Sequence, residues 1–473
     1  MPDDVVLNNL LAAYGESVAR YTGRGILTLG SGREIPCDFE AGQLKRGKVL
    51  LFCHFDLPKL SFWFESLSAA HPVETFVGTT SEGSKIVSGG PIIPVPNIGE
   101  DLHEQASEAF LLREFRVELN QESKPTTTHF GVTNFEFAAT RAQKTDNANL
   151  AELQLDLQTA SGVRNLRIRP IQEYEIILKR LKTVRSIDVT CEVIGRIFRN
   201  EGIEQLTEVI SNLCYLLSVA RGTKIQWIYR GEYDETGLCV ARTHASTVTK
   251  PYGPLAVIDP AVDSAPDTKR FLEKTYPVYV SKRDKYRLNR GTIDAYLDAK
   301  AENDYLETRA VKLAVAMEML KNVFAEQPNS PAKEFIVEEK DFERFVAPIS
   351  EAVNRVLEVS GISDKGFRRA LSSKAKIRGL NRQSFKHFLA KLCETLELDV
   401  SEEDLDLFVK CRNALVHKGR FYCSMVTSET ESKVKEYGFL VSFLDRIFLK
   451  LLGYSGPYIN RRTLGNPTRV SQV

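Results

Sequence analysis

The chain has 473 residues, 43% hydrophobic and 26% charged, with 63 Lys and Arg against 62 Asp and Glu and a formal net charge of +1 at pH 7. That length exceeds what one ordinary core supports, so two or three domains are expected. The near-neutral balance excludes a global field that draws the protein to nucleic acid or to an anionic membrane, so any RNA contact has to be local.

Cysteines stand at 37, 53, 191, 214, 239, 393, 411 and 423 with no CxxC pair and no cysteine–histidine spacing that suits zinc, so they read as reduced core residues and no metal or cofactor is expected. The opening MPDDVVLNNL is acidic and lacks the basic and apolar regions of a signal peptide. The most apolar stretch, GFLVSFLDRIFLKLLGY, is interrupted by Asp445, Arg446 and Lys450. A cytoplasmic protein with no membrane partner is the expectation.

From about residue 24 to 140, short runs rich in β-branched and aromatic residues alternate with glycine and proline: GILTLGSG, GKVLLFCHF, ETFVGTTSEGSKIVSGG, HFGVTNFEF. These predict strands. GGPIIPVPNIGED, with three prolines in six residues, reads as a loop or an edge rather than a central strand. GTTSEGSK (78–85) nearly spells a phosphate-binding loop, but serine and lysine are in the wrong order and no helix should follow. TGRGILTLGSG lacks the third glycine of a dinucleotide fingerprint and leads into strands.

Between about 150 and 285 the pattern is mixed. AELQLDLQT and NLRIRPIQEYEIILKRLK read as extended, GIEQLTEVISNLCYLLSVARG has helical spacing closed by Gly222, and TKIQWIYRGEYDETGLCVARTHAS alternates around a turn at Asp234 to Gly237. Beyond KPYGPLAVIDPAVDSAP the chain is expected to be helical to about residue 452. Leu306, Ala310, Leu313, Met317, Leu320 and Phe324 form one apolar stripe, and Tyr437, Leu440, Leu444, Ile447 and Leu451 form another. With DFERFVAPISEAVNRVLEVS, SFKHFLAKLCETL and SEEDLDLFVKCRNALVHKG between them, four or five helices on short connections predict a bundle. The expected fold class is α+β multidomain: a β-rich domain over 1–145, a mixed α/β part over 146–285, and an all-α bundle over 286–473.

An arginine separated by four to six intervening residues from a following histidine pairs a phosphate holder with a proton carrier. Seven histidines, three permitted spacings and an arginine frequency of roughly 7% give about one to two such matches by chance. The chain has two, Arg382 with His387 and Arg412 with His417, so context has to separate them. His387 falls on a solvated face with Gln383, Lys391 and Glu394, opposite Phe385, Phe388, Leu389 and Leu392.

In the second match Ser401 is a credible N-cap, followed by Glu402, Glu403 and Asp404. Leu405, Phe408, Arg412 and Leu415 then share one stripe, which puts an arginine where an apolar residue is due. Such a charge has to be paired, or face a cleft or interface. Asn413 and His417 lie one turn apart on one face, and His417 sits in the last turn before Gly419, where the helix dipole favours imidazolium. Two readings are open here: a reactive site, or a structural ion pair at Arg412 with His417 as a capping residue. Glu318, just off the stripe of its helix, is a candidate partner for Arg412, although a glutamate there reads first as solvated.

CRNALVHKG resembles the RNxxxH motif of the HEPN superfamily of helical ribonuclease domains, and NDYLETRAVKLAVAMEMLKN resembles the long first helix of that domain in ApeA-like anti-phage proteins. The likeness is most specific over residues 295 to 420. The resemblance implies a metal-independent endoribonuclease of the abortive-infection, toxin-like kind, with catalytic Arg412, Asn413 and His417, no cofactor and an RNA substrate. It also implies a homodimer through the HEPN domain, and control by the N-terminal region, where a trigger of phage or nucleic-acid origin is the expected partner. Two alternatives stay open: a catalytically silent HEPN dimerisation or binding module whose N-terminal region binds a partner or ligand, and a site built instead on Arg382 and His387.

Overall fold

The computed structural model describes residues 10–55, 73–95, 107–119, 123–136, 152–198, 201–253, 255–260, 265–302, 304–361, 364–423, 430–462, 468–470 and 473. A short helix, α1 (Leu10–Tyr14), precedes strands β1 (Ser17–Leu29), β2 (Glu34–Leu44), β3 (Val49–His54), β4 (Val73–Thr80), β5 (Lys85–Val95) and β6 (Ser107–Glu118). They pair in the order β3-β2-β1-β4-β5-β6, and β3 pairs again with β6, which closes an antiparallel barrel. Closure leaves no unpaired edge among these strands. Period-two alternation fills the interior: Ile35, Cys37 and Phe39 of β2 and Val49, Leu51 and Cys53 of β3 point inward. Leu50 and Phe52 point outward and are capped by Leu11 of α1.

GTTSEGSK is the β4–β5 hairpin, turned by Gly83 at φ +87°. As expected, it leads into a strand and not a helix. GGPIIPV departs from expectation, because it belongs to β5 and sits between β4 and β6. The register slips between Gly89 and Ile92 against β6 and between Val73 and Val77 against β4, and such bulges remove ladder positions where proline has no N–H to give. The remainder, from Pro96, lies outside the described residues.

Beyond the slip, β6 changes partner along its length. Residues Ser107 to Leu112 pair with β3, whereas Glu114 to Glu118 pair with β12 (Cys239–Ala245). The barrel thereby continues into a second antiparallel sheet in the order β12, β11 (Trp227–Tyr233), β7 (Thr127–Thr133), β10 (Val189–Arg196), β9 (Gly162–Pro170), β8 (Leu153–Thr159). Between β11 and β12 the turn at Asp234 to Gly237 forms as expected, with Asp234 Oδ1 accepting from the Thr236 and Leu238 amides at 2.9 and 3.0 Å. EYEIILKRLK is not extended but lies in helix α2 (Tyr174–Val184). Tyr174, Leu178 and Leu181 pack on the core at helical spacing, a signal that the preceding alternation in NLRIRP masks. Helices α3 (Ile203–Arg221), closed by Gly222 at φ +63°, and α4 (Ala265–Lys282) cover one face of this sheet.

The remaining chain is helical: a π-helical turn at Leu288–Thr292, then α5 (Ile293–Lys300), α6 (Leu306–Ala325), α7 (Glu339–Val359), α8 (Lys365–Leu371), α9 (Lys374–Gly379), α10 (Phe385–Thr395), α11 (Glu402–Lys418) and α12 (Thr430–Leu451), with a short hairpin of β13 (Tyr458–Asn460) and β14 (Thr468–Val470). Both predicted stripes are buried, from Ala310 to Phe324 on α6 and from Tyr437 to Leu451 on α12. One apolar cluster runs from the second sheet through α3 and α4 into α6, α10, α11 and α12. Helix α7 does not join it, contrary to the bundle expected from its periodicity. Its buried residues Val346 and Leu357, and Ile377 of α9, lie outside that cluster, so α7 to α9 form a separate arm. Among the described residues, no helix is long and apolar enough to cross a membrane, and no two cysteines form a disulfide.

A charged group is sealed between α5 and α12. Lys300 and Asp445, both fully buried, pair at 2.6 Å, and Tyr296 donates to the same carboxylate oxygen. Burial brings the Lys300 ammonium down to about 8, against the attraction of Asp445. Between about pH 8 and the ordinary lysine value near 10.5 the unfolded chain therefore holds more protons on this residue than the folded one. Its contribution to stability grows with pH across that window. Urea midpoints at pH 8 and pH 10 should show a more positive change in wild type than in Lys300→Met; equal changes would contradict the assignment.

Candidate functional site

Helix α11 starts where the sequence places it: the Ser401 hydroxyl accepts from the Asp404 amide at 3.2 Å. Asp404 also binds both guanidinium nitrogens of Arg462, which ties the start of α11 to the C-terminal segment. Leu405, Phe408, Cys411, Ala414 and Leu415 are buried. Gly419, at φ +63°, ends the helix and donates to the Leu415 carbonyl at 3.0 Å. Beyond it, Glu436 of α12 accepts from the Tyr422 and Cys423 amides at 2.9 and 2.8 Å, which fixes the chain leaving the helix.

Arg412 holds the position on the buried stripe that its spacing requires, with its side chain 16% exposed. Three helices converge on it. Glu318 of α6 accepts from Nη2, Asn413 Oδ1 accepts from Nη1 at 2.9 Å, and the guanidinium lies 4.9 Å from the ring centroid of Phe385, the first residue of α10. Glu318, 25% exposed, also holds Lys321 at 2.9 Å. The glutamate that reads first as solvated is thus the partner of the arginine. Arg412 Nε is buried with no hydrogen-bond partner.

Asn413 and His417 are exposed, and among the described residues His417 makes no hydrogen bond. The helix end therefore presents a clamped guanidinium, an amide and an imidazole open to solvent. Asn413 stands in hydrogen-bond contact with Arg412, whereas His417 joins them through one further helical turn. Nothing of the arrangement depends on Arg382 or His387. Arg382 precedes α10, bridges to Phe335 and lies 3.8 Å from Glu334, while His387 is exposed within the helix, its amide capped by Ser384 at 3.1 Å. Arg382 lies outside α10 and His387 within it, whereas Arg412, Asn413 and His417 all lie on α11. Sequence reasoning missed Phe385 as the surface beneath the guanidinium. Its signal is weak, since an aromatic in the first turn of an amphipathic helix reads as core.

These residues lie within the part of the chain for which a comparison gives a match. Residues 285–471 match the family model described as the YopA C-terminal domain. The matched span starts in the segment before α5 and contains α5 to α12, so Glu318, Phe385, Arg412, Asn413 and His417 all fall inside it. Comparison with curated proteins and with solved structures gives no match.

Proposed function

We propose that the chain is a metal-independent HEPN-type endoribonuclease whose site is Arg412, Asn413 and His417. The observation that carries this reading is a nearly buried arginine held in place by Glu318 and Asn413 beside a solvent-open histidine on the same helix end. In the proposed reaction the RNA 2′-hydroxyl attacks the adjacent phosphorus, the bond to the 5′-oxygen breaks, and a 2′,3′-cyclic phosphate and a 5′-hydroxyl result. Arg412 neutralises the non-bridging oxygens as their charge grows, His417 protonates the leaving 5′-oxygen, and Asn413 orients the phosphate or the imidazole.

The 2′-hydroxyl proton needs an acceptor, which a second copy supplies: a two-fold dimer repeats the patch, so the partner subunit's His417 faces the same phosphate. Exposed apolar residues support a dimer there. Val416 (43% exposed) is one turn from Arg412, and Val315 (48% exposed) is one turn from Glu318. The wider role we propose is an abortive-infection effector acting in the cytoplasm, restrained by the barrel and second sheet until a trigger engages them.

The Arg412–Glu318 pair equally suits a silent HEPN module that uses the arginine structurally, and this is the second reading. Expression in cells separates the two. On the nuclease reading wild type slows growth, Arg412→Ala relieves it, and Arg382→Ala and His387→Ala leave it unchanged. Relief by Arg382→Ala with persistence in Arg412→Ala would move the site to the other pair. No growth effect of wild type even with trigger extracts present would favour the silent module.

A further inference from the structure

Helices α8 and α9 have no part in the reaction above, yet their charge is unlike the rest of the chain. Residues 364–379 carry six Lys and Arg against a single acid, Asp364, in a protein whose net charge is +1, while α7 beside them carries three Lys and Arg against five acids. Those acids neutralise some of the charge: Arg378 pairs with Glu343 at 2.7 Å. Lys365, Arg369, Lys374 and Lys376 are exposed and make no ion pair among the described residues. Glu343 also attracts Lys374, and the cations left without an ion pair on these two helices carry a like-charge repulsion that an anionic polymer would relieve.

The arm is also closed at its base. Its two ends are stitched together: Asn381, 2% exposed, donates to the Val337 carbonyl at 2.8 Å and accepts from the Val337 amide at 2.9 Å, and the Gln383 amide donates to Glu334 at 2.9 Å. The chain leaving the arm enters α10 at Phe385, the ring beneath the Arg412 guanidinium. Two residues, Gln383 and Ser384, separate Arg382 from Phe385, a span of at most about 10 Å. The base of the arm thus lies close to the site.

We propose that α8 and α9 bind the phosphate backbone of the RNA strand that enters the Arg412 site. The proposal rests on the nuclease reading for the identity of the polymer. Phosphate contacts position a strand without reading its sequence, so the arm sets affinity and direction of entry, and leaves the choice of cleavage point to the site itself.

The test is fluorescence anisotropy of a labelled single-stranded RNA with the full-length chain carrying His417→Ala, which prevents cleavage during the titration. Adding Lys374→Glu and Lys376→Glu should weaken binding at least about tenfold and lower the slope of log affinity on log salt by about 1.4, at about 0.7 for each lost phosphate contact with a single strand. Lys48→Glu, on the barrel, should change neither. Should the double substitution unfold the arm, seen as a lower melting temperature, Lys365→Gln with Arg369→Gln makes the same test with milder changes. Unchanged RNA affinity in the arm variants overturns the proposal, and so does a parent protein that binds anionic phospholipid vesicles through these lysines but not RNA. RNA held through the arm but never cut by wild type would leave the arm standing and sink the nuclease reading. Cutting by wild type with an arm variant of unchanged KM would do the reverse.

Discussion

Arg412→Ala is expected to lower RNA cleavage by about 10²- to 10³-fold, the usual loss when a positioned donor to a developing oxyanion is removed. His417→Ala should lower it by about 10²- to 10⁴-fold, the range for a general acid. Arg412→Lys should be nearly as defective as the alanine variant, because a lysine keeps the charge but loses the planar fork that Glu318 and Asn413 hold. Single-turnover cleavage rates on one RNA check all three. Stability separates catalysis from scaffolding. Glu318 keeps Lys321 when Arg412 is removed and is partly exposed, so Arg412→Ala should shift the melting temperature little. A large loss of stability with cleavage unchanged would make the arginine structural.

Asp445→Ala should destabilise the helical region by about 3–5 kcal/mol, the cost of leaving buried charge without its partner. Asp445 is fully buried, pairs with Lys300 at 2.6 Å and lies 3.7 Å from Arg461. Its removal leaves two cations in the core of α5, α12 and the C-terminal segment. Replacing Lys300 by Met in the same chain should recover part of the loss, since one of the two stranded charges goes with it. Urea unfolding of the single and double variants measures both effects. A double variant no more stable than Asp445→Ala would show that Lys300 is not the group stranded.

The geometry of the candidate site is largely legible in the sequence because its signal is local. The stripe Leu405, Phe408, Arg412, Leu415 puts the arginine at an apolar position from sequence alone, and Ser401 and Gly419 mark the helix ends. The partner was less legible: Glu318 is 94 residues away, and only packing of α6 against α11 brings it to Arg412. The strands of the barrel followed from alternation, but its closure did not, because β3 meets β6 through pairs such as Val49 with Leu112 that no local pattern encodes. Proline content misplaced GGPIIPV, since a bulge accommodates what the middle of a regular ladder excludes. Helix α7 misled in the opposite sense. Its amphipathic period is real, but most of its apolar positions remain partly exposed, with only Val346 and Leu357 buried.

We propose 2′-hydroxyl chemistry at Arg412 and His417. The measurement that tests it most directly is incubation of purified wild type in excess EDTA with an RNA and with the all-deoxy strand of the same sequence, followed by mapping of product ends. The account predicts cleavage of the RNA alone, with 2′,3′-cyclic phosphate and 5′-hydroxyl ends, because the attacking group is the sugar's own hydroxyl. Cleavage of the all-deoxy strand, or 5′-phosphate ends on the RNA products, would contradict it.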